Sequence, residues 1–484
     1  MWYGFGFLFL SSKEEERMKN IEPPIANSQL LAQSSVLDTQ HSSAPRFRFV
    51  VMAALWVTAF FLFLDRVNIS FAAPSIMDEL GLSGIETGLI LSVYYWGYIA
   101  GQIGGGIASD RFSIRGWATV MFFSWCVLTA LTGTCRSVVQ FALVRGLFGI
   151  AEGSVANPIN KLENQWLLPQ ERGWVYGATV GFGYLGIITG VVVVGWLIEL
   201  WGWRAMFYGT GALTVIGVLL FWLLVYDHPR EHPWVSPQEV ALIEGAITKD
   251  RVTFDPHHGK ARLLPFAAGV RMLAGNWVFW TICACMLFTQ CVGFTNLSWL
   301  PGYLVKERGY TIMKSGAVLA IPYLAAGAGA LCGGYLGDKT GHRTLVGVAV
   351  SLLTGPAMIV LMLTQEVLPT VLLMSLALFL NAAAFNALAV LLFDLFPAEV
   401  VGVAAGVSIG LFGGLGGVTG PLILGYSYDY THSFFWGFAA IGMGATVSAF
   451  ILMPVWFHEQ RVKKEKAERA RHGQAADEFQ TSLR

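Results

Sequence analysis

Four ionisable residues stand deep in stretches that are otherwise apolar: Asp65 and Arg66 within 48–74, and Arg145 and Glu152 within 138–159. Burial favours the neutral form of a carboxylic acid and a nearby cation favours the ionised form. Asp65 and Glu152 are therefore candidates for taking up and releasing a proton as their surroundings change. An arginine stays charged throughout, and its planar fork matches a carboxylate with two parallel hydrogen bonds. Arg145 and Glu152 are seven residues apart, about two helical turns, so they share a face. That spacing also suits a fixed ion pair that locks a helix bundle, and both readings stand at this point. Asp65 and Arg66 are adjacent, so their side chains diverge by about 100° on a helix and need not pair. The nine histidines fall in loops, tails or at the edges of apolar stretches, so any proton carrier is expected to be a carboxylate.

Charges in such surroundings require elements that can hold them in an apolar medium. Of the 484 residues, 55% are hydrophobic and 13% charged, about half the usual charged share of a soluble domain. A helix needs about 20 apolar residues to cross the hydrocarbon core. Such stretches recur near 48–74, 85–108, 117–134, 138–159, 174–199, 204–226, 272–303, 313–336, 344–364, 367–394, 401–427 and 433–456. The expected fold is an all-α integral membrane protein with twelve transmembrane helices in two six-helix pseudo-symmetric bundles. Residues 46–226 and 272–457 hold the bundles. Residues 1–45, rich in Ser, Gln and Pro, read as a disordered cytoplasmic tail. Residues 227–271 read as a solvated cytoplasmic linker, and 458–484 as a second cytoplasmic tail. Arg46, Arg48, Arg111, Arg115, Lys161, Arg172, Lys339 and Arg343 fall on the side of the termini, against Arg136, Arg204, Lys306, Arg308 and Lys314 opposite. The positive-inside rule then puts both termini in the cytoplasm.

The chain repeats itself at an offset of 228 residues. Gly106-Ile-Ala-Ser-Asp110-Arg111 with Arg115 recurs as Gly334-Tyr-Leu-Gly-Asp338-Lys339 with Arg343, Asn68-Ile69-Ser70 as Asn296-Leu297-Ser298, and Pro169 with Glu171 as Pro397 with Glu399. An offset of six spans gives both halves the same topology, related by an axis along the membrane normal, as in many transporters. The partners of Asp65 and Arg66 are Gly293 and Phe294, so the second half lacks this chemistry.

With its doubled Gly-x-x-x-Asp-Arg/Lys-x-x-x-Arg loop, the chain over 46–458 resembles the major facilitator superfamily. Those loops would join two helices in one state of a transport cycle, with Asp110 or Asp338 at a helix end and Arg111, Arg115, Lys339 and Arg343 at the membrane surface. The first copy has Ser113 where the family has glycine; the second has Gly341. Leu64-Asp65-Arg66-Val67-Asn68-Ile69-Ser70, Tyr95-Trp96-Gly97-Tyr98 with Gln102, Arg145-x3-Gly149-x2-Glu152 and Gly413-Gly414-Leu415-Gly416-Gly417 are similar to the anion:cation symporter family of bacterial hexuronate, aldarate and galactonate carriers. The resemblance implies proton coupling at Asp65 and Glu152, a substrate carboxylate on Arg66, substrate contact at Tyr98, and Arg145 in the charge network of the first bundle. Two residues depart from the sugar-acid pattern: Phe63 replaces a tyrosine and Gly183 replaces a glutamine. Gln290, Asn296, Asn381 and Asn386 are candidate substitutes, although for each amide alone helix–helix hydrogen bonding is the favoured role.

The expected function is proton-coupled uptake of a small organic anion, such as an aldonate, uronate or aldarate, by alternating access. The setting is the cell inner membrane and the carrier a monomer; its partners are the anion, the proton and the lipid bilayer. Another carboxylate, such as an aromatic acid, or sodium coupling is the alternative. A drug:proton antiporter is disfavoured, because Gly177 to Gly195 contains no proline. A membrane sensor is a more distant reading. Balanced charge (31 basic, 31 acidic) gives no reason to expect nucleic acid. No Walker motif and no nucleophile–base set appears, so neither enzyme activity nor a cofactor is expected. The six cysteines form no CxxC pair, and no metal is expected.

Overall fold

The computed structural model describes residues 46–253, 266–396 and 398–482, with the side chains of Asp110, Asn157, 248–253, 266–267, 398–399 and 462–482 outside the description. The expected tail 1–45, Pro397, and the side chains of Asp110 and Glu399 thus lie outside the described residues. Everything described is helical or connecting. The helices are α1 (Arg48–Leu80), α2 (Gly84–Arg111), α3 (Ile114–Thr132), α4 (Val138–Trp166), α5 (Arg172–Leu224), α6 (Pro237–Thr253) and α7 (Phe266–Ala274). They continue as α8 (Trp277–Lys306), α9 (Ile312–Thr340), α10 (Arg343–Leu363), α11 (Val367–Leu395), α12 (Ala398–Ala405), α13 (Gly413–Thr431) and α14 (Phe435–Ser482). A π-helical turn, Gly406–Phe412, joins α12 to α13.

Ten helical stretches among the described residues are long and apolar enough to cross a membrane. This differs from twelve for two identifiable reasons. The first is that α5 covers two of the expected spans, meeting at Gly202, whose φ of 80° and ψ of 165° are not helical. Only glycine adopts such a φ without strain. The second is α2, which is long enough, but Tyr94, Tyr95, Tyr98, Gln102 and its glycines dilute its apolar content. That composition suits a helix packed on both sides by protein, and α2 lies between α4 and α13.

Pairings recur at the repeat offset: α2 packs on α4 as α9 packs on α11, and α3 packs on α4 as α10 packs on α11. Contacts between the halves run through α2 with α13, α5 with α9 and α1 with α8. They concentrate at one end of the molecule, the far end, which carries Leu80, Gly84, Glu199, Lys306, Ile312 and Thr431. There a single apolar core takes in Phe71, Ile90, Val194 and Phe207 together with Trp299, Leu319, Met374 and Phe434. At the near end, where Arg48 enters, the core is split: Val51, Phe122, Trp166 and Phe221 form one cluster, and Phe279, Met286, Leu391 and Leu452 another. The halves are joined at the far end and parted at the near end.

The expected solvated linker is only partly so. Glu239 of α6 is fully buried and accepts the backbone N–H groups of Phe47 (3.0 Å) and Arg48 (3.1 Å), capping the start of α1. Arg48 in turn donates to Glu239 (3.1 Å) and, through two nitrogens, to Glu171 (2.7 and 2.9 Å). His232 is buried among the rings of Phe47, Tyr226, Trp234 and Trp166. The carboxylate at a helix N-terminus and the bidentate arginine clamp 229–245 to the first half, a contact that mixed charge in the sequence does not disclose.

The doubled loop is also asymmetric. Gly341 ends α9 in the left-handed region (φ 65°), which favours glycine. At the matching position Ser113 has φ −55° and its hydroxyl accepts the Gly116 N–H at the start of α3, so a serine fits where the turn is built differently.

Candidate functional site

Asp65, Arg66, Arg145 and Glu152 come together on the inner faces of α1 and α4, but not in the pairing that spacing favours. Glu152, fully buried, accepts from Arg66 Nε at 2.5 Å through Oε1, while its Oε2 has no hydrogen-bond partner among the described residues. The fixed Arg145–Glu152 pair is therefore absent: one turn-matched face puts both on α4, yet α1 delivers Arg66 to the carboxylate instead. Among the described residues the terminal nitrogens of Arg66 have no protein partner. Its guanidinium lies over the rings of Phe63 (4.8 Å) and Tyr98 (5.2 Å). A cation in contact with two rings, with its Nε occupied and its terminal nitrogens open, is pre-organised for end-on bidentate recognition of an anion.

Arg145 is 3% exposed, and its Nε is unpartnered. Its contacts are the faces of Phe148 (4.3 Å) and Tyr94 (5.3 Å). An arginine buried without a carboxylate is costly, which marks this side of the site as electropositive. Arg66 and Arg145 both line a small cavity of about 10 Å³ with Ser70, Tyr94, Tyr95 and Ser298, room for a single water. Ile69-Ser70 and Leu297-Ser298, the repeated motif, meet across it.

Asp65 is 1% exposed and bonds toward α5, whereas Arg66 bonds toward α4. Its two oxygens accept from Asn68 Nδ2 (2.8 Å) and Thr214 Oγ1 (2.9 Å), and Asn68 also donates to Thr210 Oγ1 (2.9 Å). The divergence expected of adjacent residues is what separates it from Arg66. A carboxylate satisfied by neutral donors and lacking a contacting cation can hold a proton without breaking an ion pair. Thr210 and Thr214 lie four apart in the second arm of α5; only the packing of α1 on α5 identifies them as partners of Asp65. Glu163 was also missed, because α4 continues past 159 to Trp166. It is 6% exposed and accepts from Thr179 Oγ1 at 2.7 Å.

The amides of the second half divide. Asn381 and Gln290 both lie beside Gly293, with Asn381 Nδ2 3.0 Å from where a Cβ would stand. They surround the position that corresponds to Asp65. Asn386 is half-buried with its Oδ1 against Gly334 of α9, a helix–helix contact. Asn296 is buried and donates to the Val292 carbonyl of its own helix (3.0 Å), so it is not brought to the cavity that its neighbours line.

The two departures, Phe63 and Gly183, touch. A Cβ at Gly183 would stand 2.7 Å from two ring carbons of Phe63, so the ring occupies the space a larger residue would need. The face beside Arg66 is thereby apolar.

Of the loop residues, Arg115 is held within the first half. It donates to the Trp222 carbonyl and lies over the rings of Trp222 (4.2 Å) and Tyr226 (3.8 Å). Arg343 pairs with Asp338 and Asp394, tying α9, α10 and α11. Arg111 and Lys339 are exposed, with Lys339 near the Tyr335 ring.

Comparison with known proteins shows the family of the chain. The chain is 30% identical over 430 residues to the probable sulfoacetate transporter SauU of Cupriavidus necator, covering 84% of this chain and 94% of that protein. It is 26% identical over 456 residues to the probable galactarate/D-glucarate transporter GarP of Escherichia coli K12, covering 89% and 100%. A crystal structure of a bacterial homolog of the human lysosomal transporter Spinster, inward-facing and unoccupied, superposes with a TM-score of 0.69 at 19% identity, covering 87% of this chain and 98% of that one. A sequence profile of the Major Facilitator Superfamily matches residues 55–421. This chain, a multi-pass membrane protein, belongs to the Major Facilitator Superfamily.

Proposed function

We propose that this chain imports a small organic anion together with a proton by alternating access. Its twelve spans would form two six-helix bundles in the cell inner membrane, with both termini cytoplasmic. The observation that carries the reading is Arg66: over the rings of Phe63 and Tyr98, bound through Nε to Glu152, and open at its terminal nitrogens among the described residues. An anion arriving there competes with Glu152 for the same cation. A proton on Glu152 removes that competition, so proton and anion each strengthen the binding of the other, as linkage requires. Asp65, held by Asn68 and Thr214, is a second protonation site, and Arg145 supplies positive potential. Tyr98 and the amides Gln290 and Asn381 face the substrate from either half. The Asp338–Arg343–Asp394 cluster and Arg111, Arg115 and Lys339 act in the near-end gate.

The apolar wall of Phe63 on Gly183 narrows the substrate. It offers no hydrogen bond beside the anion, which favours a compact or sparsely hydroxylated acid over a long polyhydroxylated one. Of the two relatives, the probable sulfoacetate transporter is named for a compact acid of this kind and the probable galactarate/D-glucarate transporter for a polyhydroxylated one.

The test is uptake of labelled acids into proteoliposomes under an inward proton gradient, with sulfonated and plain two-carbon acids, aldonates, aldarates and aromatic carboxylates in the panel. Accumulation of a compact acid that disappears when the gradient is collapsed is the expected result. Accumulation driven by sodium alone, or by none of these acids in folded protein, overturns the coupling or the substrate reading respectively.

A further inference from the structure

At the far end, each half places a carboxylate on a helix start of the other. Asp429, near the end of α13, accepts the N–H groups of Gly84 (2.6 Å) and Ile85 (2.7 Å), the first two residues of α2. Glu199, at the end of the first arm of α5, accepts the N–H of Met313 (3.2 Å), the second residue of α9. Gly84 and Ile85 correspond to Ile312 and Met313 at the repeat offset of 228, so the two contacts are reciprocal. The carboxylates themselves are not at matching positions: the counterpart of Glu199 is Ser427, two residues before Asp429. The shorter aspartate, set closer to the seam, does the work of the longer glutamate.

The donors are ones that helix geometry leaves over. The first four N–H groups of a helix have no partner inside it. Ser83 caps α2 through the Glu86 N–H (3.1 Å) and Thr311 caps α9 through the Lys314 N–H (3.1 Å). These hydroxyls reach only the third residue, and the opposite half supplies an anion for the earlier ones. An anion there meets both free donors and the positive end of the helix. The backbones come close enough for this because the seam is glycine: a Cβ on Gly84 would stand 2.7 Å from the Gly425 carbonyl, and one on Gly316 would stand 2.1 Å from the Val191 carbonyl. Asp78 and Lys306, repeat counterparts of each other, also pair across the seam, but Asp78 is largely exposed.

We infer that Asp429 and Glu199 form a reciprocal latch that holds the far end shut, each carboxylate closing the seam by capping a helix of the opposite half. Opening the far end requires both carboxylates to leave their helix starts, and the N–H groups to find water instead. The inference rests on the alternating-access reading, though not on the identity of the solute or the coupling ion.

The experiment uses Ser70→Cys, at the cavity just inside the seam, in full-length protein whose native cysteines are replaced. A membrane-impermeant maleimide is applied at the far face of oriented vesicles. Asp429→Asn and Glu199→Gln, which keep shape and remove charge, are each expected to speed labelling about tenfold. The double variant is expected to approach the product, since distant sites act additively. Lys306→Gln is expected to change the rate little, as exposed pairs contribute little. Gly316→Trp wedges the seam open whatever latches it. Labelling in the wedge variant without acceleration in Asp429→Asn or Glu199→Gln overturns the latch. Equal acceleration by Lys306→Gln overturns the carboxylate-to-helix assignment. No labelling even in the wedge variant overturns the alternating-access reading on which the latch stands.

Discussion

The two halves share one plan of packing and differ in chemistry. In the first, α1 and α4 bring two acids and two arginines together under helices whose packing repeats in α8 and α11. In the second, the counterparts of Asp65, Arg66, Arg145 and Glu152 are Gly293, Phe294, Leu373 and Leu380. The vacancy at Gly293 is bordered by the amides of Asn381 and Gln290, and Phe294 packs on Tyr95 with ring centroids 4.5 Å apart. Duplication supplied two scaffolds, and these four charges stand in only one. Charges that must change partner are best kept in one rigid half, so that the other can move against it without tearing an ion pair.

The harshest way to break this contrast is to remove Arg66. Arg66→Ala leaves Glu152 buried without a cation, and uptake should fall by more than about 100-fold, with about 3 kcal/mol or more lost in kcat/KM. Arg66→Lys keeps the charge but not the fork, and a loss nearly as large is expected in the same uptake assay. Normal uptake in either variant would reduce the four charges to scaffold. Glu152→Gln should abolish gradient-driven accumulation while counterflow exchange continues, at about a tenth of the original rate or better. Retained accumulation there excludes Glu152 as a coupling acid.

The wall beside Arg66 can be sharpened instead of broken. Gly183→Gln displaces the Phe63 ring, and KM for the native anion should rise about tenfold. Pairing it with Phe63→Tyr rebuilds a hydrogen-bonding wall, and the ratio of aldarate to compact-acid uptake should then increase. An unchanged ratio separates the wall from specificity. The converse graft, Gly293→Asp, puts a carboxylate beside Asn381 with neither the threonine hydroxyls nor an arginine nearby. It should cost about 1–3 kcal/mol, read as a lowered Tm in detergent; a neutral effect would mean that the second half tolerates the chemistry it lacks.

The smallest effect belongs to the clamp between linker and first half. Burial among aromatic rings holds the His232 imidazole below its ordinary value, and Arg115 acts in the same direction. The neutral ring is the one that fits, so this stabilisation is complete above about pH 6.5 and is lost as pH falls below it through the lowered folded value. Hydrogen exchange across 229–245, corrected for its intrinsic pH dependence, should quicken on acidification, and His232→Phe should remove that response.

Much of this was legible in the chain. The apolar stretches, the repeat and the four intramembrane charges are local or periodic features, and the helices follow them. The site was legible as a set of residues, but its connections were not. Spacing on one helix put Arg145 beside Glu152, yet α1 packing delivered Arg66 to that carboxylate. Thr210 and Thr214 looked like ordinary small residues of an apolar helix until α5 packed against α1. Glu163 was lost to a boundary drawn seven residues short of the end of α4. Phe63 and Gly183 were two separate oddities that proved to be one contact.

The sequence by itself determined the helices, their duplication and the concentration of charge in one half, because hydrophobic length, periodicity and the rarity of buried charge are properties of the chain alone. Only the tertiary structure decided which acid holds which arginine, which end of the molecule is shut, and that Asp429 and Glu199 cap helices of the opposite half. Each of those depends on how far and at what angle two helices approach, and no spacing within a single helix encodes that.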